Sequence, residues 1–553
     1  MRRRTISALL LILMMMTWTL SMPALAEGEE PDISSLYKSR DTDDAWSAAE
    51  AECIDLSSLE GSVLTITQQG DYVLSGAFAG QVVIEAPEED KVRLILSGAR
   101  ITSPQGPAIY EKQADKLIIT LAEGTDNALT DGEALTDGDD TIGAALYAED
   151  DLSINGSGTL TAHGTVKHGI QSKADLIIAG GGITVDAVSD GVRGRNSVLI
   201  LGGSLNIAAQ GDGVVSTRED EEGKGWVVIA GGEIVIRTGD GAGTPAAVSS
   251  PGGRGGWEKS EPAPSESSTS RKAVKAASDL TVLGGSLTLD CADDGLHAVN
   301  VTVAGGSLSI RSGDDGLHAD EDMTIRDGVI DIAQCYEGIE GMNVTIDGGD
   351  IRIVASDDGI NAAGGNDNSG LGGRGGDRFS GGDSGSRMTI SGGSLRVTAG
   401  GDGLDCNGSL SITGGNIGVF AVTTQGDGAI DFNTTGTITG GTLIIASTGG
   451  VMRNTASLTG QTVMSLSVGS QAAGTEITLL DGSGHVLGSF VPESSYDTVS
   501  VSSDQLPSGA ACTVRCGGEE LYSGAMENSP GTGAGTGEGG FGAGGKGGKR
   551  GRE

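Results

Sequence analysis

The sequence predicts an all-β fold: a right-handed parallel β-helix of about 21–22 residues per coil, closed by a small C-terminal β domain. Three observations carry that prediction. One pattern is written four times between Asp279 and Ala362, as DLTVLGGSLTLDCADDGLHA, NVTVAGGSLSIRSGDDGLHA, DMTIRDGVIDIAQCYEGIEG and NVTIDGGDIRIVASDDGINA. Its acids, Asp294, Asp315, Glu337 and Asp358, are spaced by 21, 22 and 21 residues. Each unit holds three alternating apolar runs, such as Leu280 to Leu283, Leu287 to Leu289 and Leu296 to Ala298, closed by Gly-Gly or Asp-Gly. Alternation of period two between turn residues is strand chemistry, and three strands in so short a unit leave no length for a crossover helix. Each strand must therefore pair with its counterpart one turn later, about 4.8 Å away, and the chirality of such connections makes the coil right-handed.

Composition agrees. Of 553 residues, 96 are glycine and 3% are aromatic, which suits a narrow core of Val, Ile, Leu and Ala. The 75 acids against 35 bases leave a formal charge of −40, which argues against nucleic acid and anionic membrane surfaces and favours cations.

From the N-terminus, Arg2 to Arg4, the apolar run Ala8 to Met16 and Ala24-Leu25-Ala26 read as a secretory signal peptide over 1–26, with no cysteine after the cut to take a lipid. The expected product is extracellular, with no membrane insertion after signal removal. Residues 27–61 read as a polar, irregular leader, and strands begin at Val63. The helix spans 62–449, roughly a dozen or more coils and on the order of 60 Å long. Three insertions, 217–225, 242–278 and 363–387, are expected after the Asp-Gly strand and before the next leading strand. Insertions at one corner emerge on one face, which in repeat proteins is often the binding face; a corner that simply tolerates length is the competing account. Residues 450–523 keep alternation without the period and read as a β cap over the last coil, whose edge would otherwise recruit other chains. The Gly-rich tail, 524–553, is expected to be disordered. Cys291, Cys335 and Cys406 fall in non-adjacent coils, too far apart to bridge, and a local bridge between Cys512 and Cys516 has no support beyond proximity.

Candidate chemistry lies in the Asp-Gly positions: Asp190, Asp212, Asp240, Asp294, Asp315, Asp358, Asp402 and Asp427, with Glu337 standing in once and Asp293, Asp314 and Asp357 doubling three of them. Asp-Gly is also a preferred turn, so solvated turn acids are the bland alternative. Carboxylates stacked about 5 Å apart repel by roughly 1 kcal/mol in water and by several at an effective dielectric near 20. Cations between them relieve this, and Ca2+, which takes six to eight oxygens at flexible geometry, suits carboxylates better than Mg2+. The metal candidates are Asp293, Asp294, Asp314, Asp315, Asp357, Asp358, Asp190, Asp212 and Asp402. Three residues after the turn acids runs a second polar column, including His297, His318, Glu340, Asn361 and Asp405. His297 and His318 could take a transition metal, but outward strand positions are polar by default, and His297, His318, Asn361 and Arg193 are expected to form a ligand-contacting surface.

The runs DYVLSG, KVRLILSGARITSPQGPAIY, LAEGTDNALTDG, DLSINGSGTLTAHGTVKHGIQSKADLIIAGGGITV, SDGVRGRNSV and GDGVVST make residues from about Val63 to Ala446 similar to a clostridial family of secreted carbohydrate-binding proteins. The resemblance implies a right-handed parallel β-helix related to polysaccharide lyases, which binds calcium and attaches without cleavage to cellulose and to acidic pectic polysaccharide. The family pattern has an acid after the Ser-Lys of SKADL, where this chain has Ala174.

The expectation is a non-catalytic, calcium-dependent polysaccharide-binding protein favouring polygalacturonate, with cellulose as a second target. A polyuronate held through calcium avoids the need for aromatic stacking, for which only Trp226 and Trp257 lie near the insertion face. The enzymatic alternative is a pectate-lyase-like reaction with Arg193 as base beside a metal. The structural alternative is a cell-surface stalk or adhesin.

Overall fold

The computed structural model describes residues 32–137, 140–243, 270–363, 385–422, 427–449, 455 and 457–528. The signal peptide 1–26, the middle of the second insertion, most of the third, Trp257 and all but the start of the Gly-rich tail lie outside the described residues.

Strands stack in parallel on three faces. On the leading face, Asp175–Ile178 pairs with Ser197–Ile200, then Trp226–Ile229, then Asp279–Val282. On the middle face, Gly182–Ala187, Ser204–Ala209, Glu233–Thr238, Ser286–Cys291 and Ser307–Ser312 follow one another in the same way. The trailing strands His168–Ser172, Val192–Gly194, Val214–Ser216, Val274–Lys275 and Leu296–Val303 complete the coil. Alternate residues point inward, so Leu287, Leu289, Leu308, Ile310, Ile330 and Ile332 form part of one continuous apolar core. The predicted parallel β-helix is therefore the observed architecture.

Two kinds of glycine permit this stacking. The second glycine of each Gly-Gly turn, as at Gly285 and Gly306, sits at φ of 93° and 90°, in the left-handed region that side chains disfavour. The glycine after the turn acid meets a different constraint. A Cβ at Gly295 would lie 2.4 Å from the carbonyl oxygen of Gly316, and one at Gly338 would lie 2.2 Å from that of Gly359. Glycine suits this point because neighbouring coils touch there, although Ala273 and Ala429 hold the same register in two coils.

Three sequence expectations need correction. The leader is not irregular from residue 32 onward: Ser39–Thr42 is helical, and Glu52–Asp55 pairs in parallel with Gly70–Phe78, so coiling starts before Val63. Leader residues Ile33, Leu36 and Tyr37 pack with Trp226 on the outward apolar residues Ile177, Leu199 and Val228, which the polar composition of the segment concealed. The second insertion does not run to Ser278. Its last described residues supply the trailing strand Val274–Lys275, so the added length enters before that strand rather than after it. The insertions at 217–225 and 363–387 do lie between a trailing and a leading strand.

At the C-terminus, Tyr496–Ser503 runs antiparallel to Thr435–Thr448 and to Met464–Gln471, covering the last parallel edge. A four-stranded antiparallel sheet of Val486–Phe490, Ile477–Asp481, Ala511–Cys516 and Glu519–Ala525 packs beside it through Phe490, Val499, Val501 and Phe420. This is the expected β cap, extending slightly past Ser523. All six cysteines are free. Cys512 and Cys516 lie four residues apart on one extended strand, about 13 Å of backbone, which excludes a bridge. No helix among the described residues is long and apolar enough to cross a membrane.

One buried acid makes the coil pH-sensitive. The Glu111 side chain is buried, its Oε2 accepts the Asp150 N–H at 3.0 Å, and its Oε1 has no hydrogen-bond partner among the described residues. Burial pushes its carboxyl up to about 7. Because the folded-state value lies above the unfolded one, its contribution is intact below about pH 4.5 and is lost as pH rises through about 7. The penalty approaches about 3 kcal/mol at pH 8. Glu111→Gln is expected to raise the thermal unfolding midpoint at pH 8 and to leave it nearly unchanged at pH 5.

Candidate functional site

In-register backbone hydrogen bonds along the trailing turn place His168, Asp190, Asp212, Lys272, Asp294, Asp315, Glu337, Asp358 and Asp402 one above another. Seven of the nine were legible as acids, and two predicted members are displaced. Asp240 is exposed and outside the column, because Lys272 takes its place after the insertion. Asp427 is one residue out of step, since Gly428 aligns with Asp402.

The two oxygens of these carboxylates do different work. One accepts the backbone N–H of the equivalent residue in the next coil: Asp190 from Asp212 at 3.1 Å, Asp212 from Lys272 at 2.8 Å, Asp294 from Asp315 at 3.2 Å and Asp358 from Asp402 at 2.5 Å. The other turns toward the side chain three residues on, in the second column. Asp190 meets Arg193 at 2.6 Å, while Asp294 meets His297 and Asp315 meets His318, each at 2.9 Å. An asparagine could serve a backbone N–H but would carry no charge for the partner, which accounts for Asp over Asn at 190, 294 and 315.

Burial makes the charge balance acute. Lys272 is almost wholly buried, with Nζ 2.5 Å from Asp294 and 3.2 Å from Asp293. Burial opposes the charge on Asp294, but Lys272 and then His297 outweigh it and hold the carboxyl well below the usual range. Burial and then the Asp294 charge push Asp293 up to about 6. The His297 and His318 rings stack with centroids 4.6 Å apart. Burial lowers the His297 pKa. At His318 burial is overcome by Asp315, Asp320 and Glu340, so its pKa rises well above the ordinary value, while burial raises that of the facing Asp315. His297, His318 and Asn361 are thus not the exposed contact surface expected of outward strand positions. All three are buried, and the Asn361 amide donates to Glu337 at 2.9 Å. Stacked carboxylates draw these polar groups inward, His318 as a counter-charge and His297 and Asn361 as hydrogen-bond partners.

The column is polarised along its length. Past His318 come Glu337, Glu340, Asp358, Asp402, Asp405 and Asp431, where burial and then the Asp358 charge push Asp402 up to about 9. Among the described residues neither Asp402 nor Asp431 is in an ion pair. Asp402, Asp405 and Asp431 bring carboxylate oxygens within 4.8 Å of one another, as do Asp293, Asp294 and Asp314. Asp294 with His297 and His318, and Asp315 with His318 and Glu340, form two further clusters able to coordinate a metal ion. Asp357 and Asp358 are half-buried and belong to no such cluster among the described residues.

At the opposite end, a cavity of about 390 Å3 opens beside Asp190 and Asp212, with Lys167, Arg193 and Lys275 on its walls. Burial lowers the pKa of His168, in its lining, to about 4 despite the nearby Asp190. Arg193 and Lys275 share the second column, with Val215 between them.

Lys272, Lys275 and Asp431 escaped the sequence reading. The first two follow a long interruption, and Lys-Ala stands where other coils have Asp-Gly; the alternation of Ala273-Val274-Lys275 was the available signal. Asp431 belongs to a coil interrupted before it and carries no repeat signature.

Residues 60–316 and 298–373 match the family described as carbohydrate-binding domain-containing proteins. A carbohydrate-binding domain-containing protein of Acetivibrio thermocellus is 44% identical over 196 residues, covering 35% of this chain and 68% of the relative. A solved structure, that of the polysaccharide lyase-like protein from C. thermocellum in a gadolinium derivative, is 28% identical. It covers 47% of this chain and 92% of its own, with a TM-score of 0.36.

Removing the internal cation tests the column. Lys272→Met keeps the side-chain length but strands two buried carboxylates, and we expect a loss of about 3–5 kcal/mol in urea-induced unfolding. Adding Asp293→Asn and Asp294→Asn should return most of that loss, since an amide oxygen at position 294 can still accept the Asp315 N–H.

Proposed function

The chain belongs to the family of carbohydrate-binding domain-containing proteins, and from that premise we propose that it is a secreted protein that binds acidic polysaccharide in a calcium-dependent way without cleaving it. The preferred ligand is polygalacturonate, with cellulose a second target. The observation that carries the calcium assignment is the Asp402, Asp405 and Asp431 cluster. Its donors are all oxygen, which suits a hard cation of flexible coordination. The cluster of Asp294, His297 and His318 fits Ca2+ poorly, because it brings nitrogen donors and lies against the Lys272 ammonium.

The expected metal set therefore shifts along the column. Asp293 and Asp294 are already served by Lys272, Asp315 by His318 and Asp190 by Arg193. The far segment, with Asp402, is where an external cation gains most. Calcium bound there would neutralise the carboxylates and could share its remaining coordination sites with the carboxylate of a uronate sugar. Arg193, the candidate base of a lyase, is held by Asp190 at 2.6 Å, which supports binding over proton abstraction. Secretion rests on the Arg2 to Ala26 signature alone.

Two measurements test this. Calcium at a hundredfold excess over its dissociation constant should add about 2.7 kcal/mol of stability. That gain should vanish in the Asp402→Asn, Asp405→Asn, Asp431→Asn triple variant; equal stabilisation of both proteins would move the site elsewhere. In pull-downs on insoluble polygalacturonate, chelator should weaken retention of the protein, and no unsaturated product should accumulate. Retention undiminished by full chelation would remove the calcium bridge, and product absorbance would establish a lyase.

A further inference from the structure

The cavity lies several coils from the proposed calcium cluster and has its own chemistry, with Lys167, Arg193 and Lys275 in its lining beside Asp190, Asp212 and the exposed Glu219. Its floor carboxylates are engaged: Asp190 with Arg193, and Asp212 with the Ser270 hydroxyl at 2.7 Å and the Lys272 N–H at 2.8 Å. Lys167 donates to the Thr141 carbonyl at 3.1 Å. Lys275 differs. It is half-buried in the cavity wall and, among the described residues, has no ion pair within 4 Å and no hydrogen-bond partner, although its charge is felt at Asp212. No carboxylate among the described residues pairs with that ammonium, which lines the concave space.

The second column sets the dimensions. Arg193, Val215 and Lys275 occupy successive coils, so guanidinium and ammonium spring from strands two rises apart, about 10 Å. Val215 between them is short and apolar and leaves the space open. A cavity of about 390 Å3 admits a sugar ring, and the lining adds the hydroxyls of Ser189 and Thr217. Charge-assisted hydrogen bonds from a lysine and an arginine are the usual means of holding a carboxylate.

We propose that this cavity is a uronate subsite, in which Lys275, with Arg193 beside it, directly grips the carboxylate of one sugar of an acidic polysaccharide without a metal ion. It rests on the reading that the ligand is an acidic glycan, but not on the calcium cluster.

The test titrates the full chain with trigalacturonic acid and with cellotriose by calorimetry, in calcium and in chelator. Lys275→Gln should weaken trigalacturonate binding about tenfold or more in both buffers, the usual loss for a hydrogen bond to a charged group. Lys275→Arg should stay within about threefold of wild type, since it keeps the charge-assisted donor. Cellotriose binding and the unfolding midpoint should be unchanged in both variants. If wild type and Lys275→Gln bind trigalacturonate equally, the subsite is overturned while acidic-glycan binding stands. An equal loss of trigalacturonate and cellotriose binding would also overturn it, since the carboxylate would then play no part. Wild type that binds no acidic glycan overturns this proposal and the function together.

Discussion

In-register parallel stacking is the constraint on which everything else depends. Each residue in a coil has its counterpart about 4.8 Å above and below, so any property of one position is multiplied along the rod. For apolar positions this is stabilising, and Leu287, Leu308 and Ile330 extend one core without a break. For charged positions it is unfavourable unless each coil supplies or receives a counter-charge.

The trailing turn shows how the chain meets that demand. Asp190, Asp212, Asp294, Asp358 and Asp402 each spend one oxygen on the next coil's backbone N–H, a role that fixes the turn whatever the charge. The second oxygen needs a cation, and the sequence provides a graded series: Arg193 at one end, then Lys272, then the stacked pair of His297 and His318. Beyond them the acids continue through Glu337, Asp358 and Asp402. The rod is thus electrostatically asymmetric, with cations concentrated near the open cavity and carboxylates toward the C-terminal cap. A protein with both ends of this gradient can engage an anionic polymer in two ways, by direct contact at one end and through a bound cation at the other.

Side-chain burial changes what the second column can do. His318 is enclosed, and its ring serves Asp315 and Glu340 rather than a ligand. Toward Arg193 and Lys275 the same column opens into a cavity, because Val215 leaves room there that the paired histidines fill higher up.

The sequence by itself determined the solenoid, its three-strand coil, the recurring turn acid and the C-terminal cap, because period and alternation are local properties that survive in one dimension. It could not tell which residue fills a column position after an interruption. Lys272, and not Asp240, sits in register with Asp212 and Asp294, and no motif around it announces that place. Nor could it tell inside from outside for His297 and His318, since an outward-pointing residue is buried or exposed according to what packs over it. Those decisions belong to the tertiary structure: whether an acid is neutralised by a neighbour or left to an external cation depends on distances between coils, and spacing along the chain does not encode them.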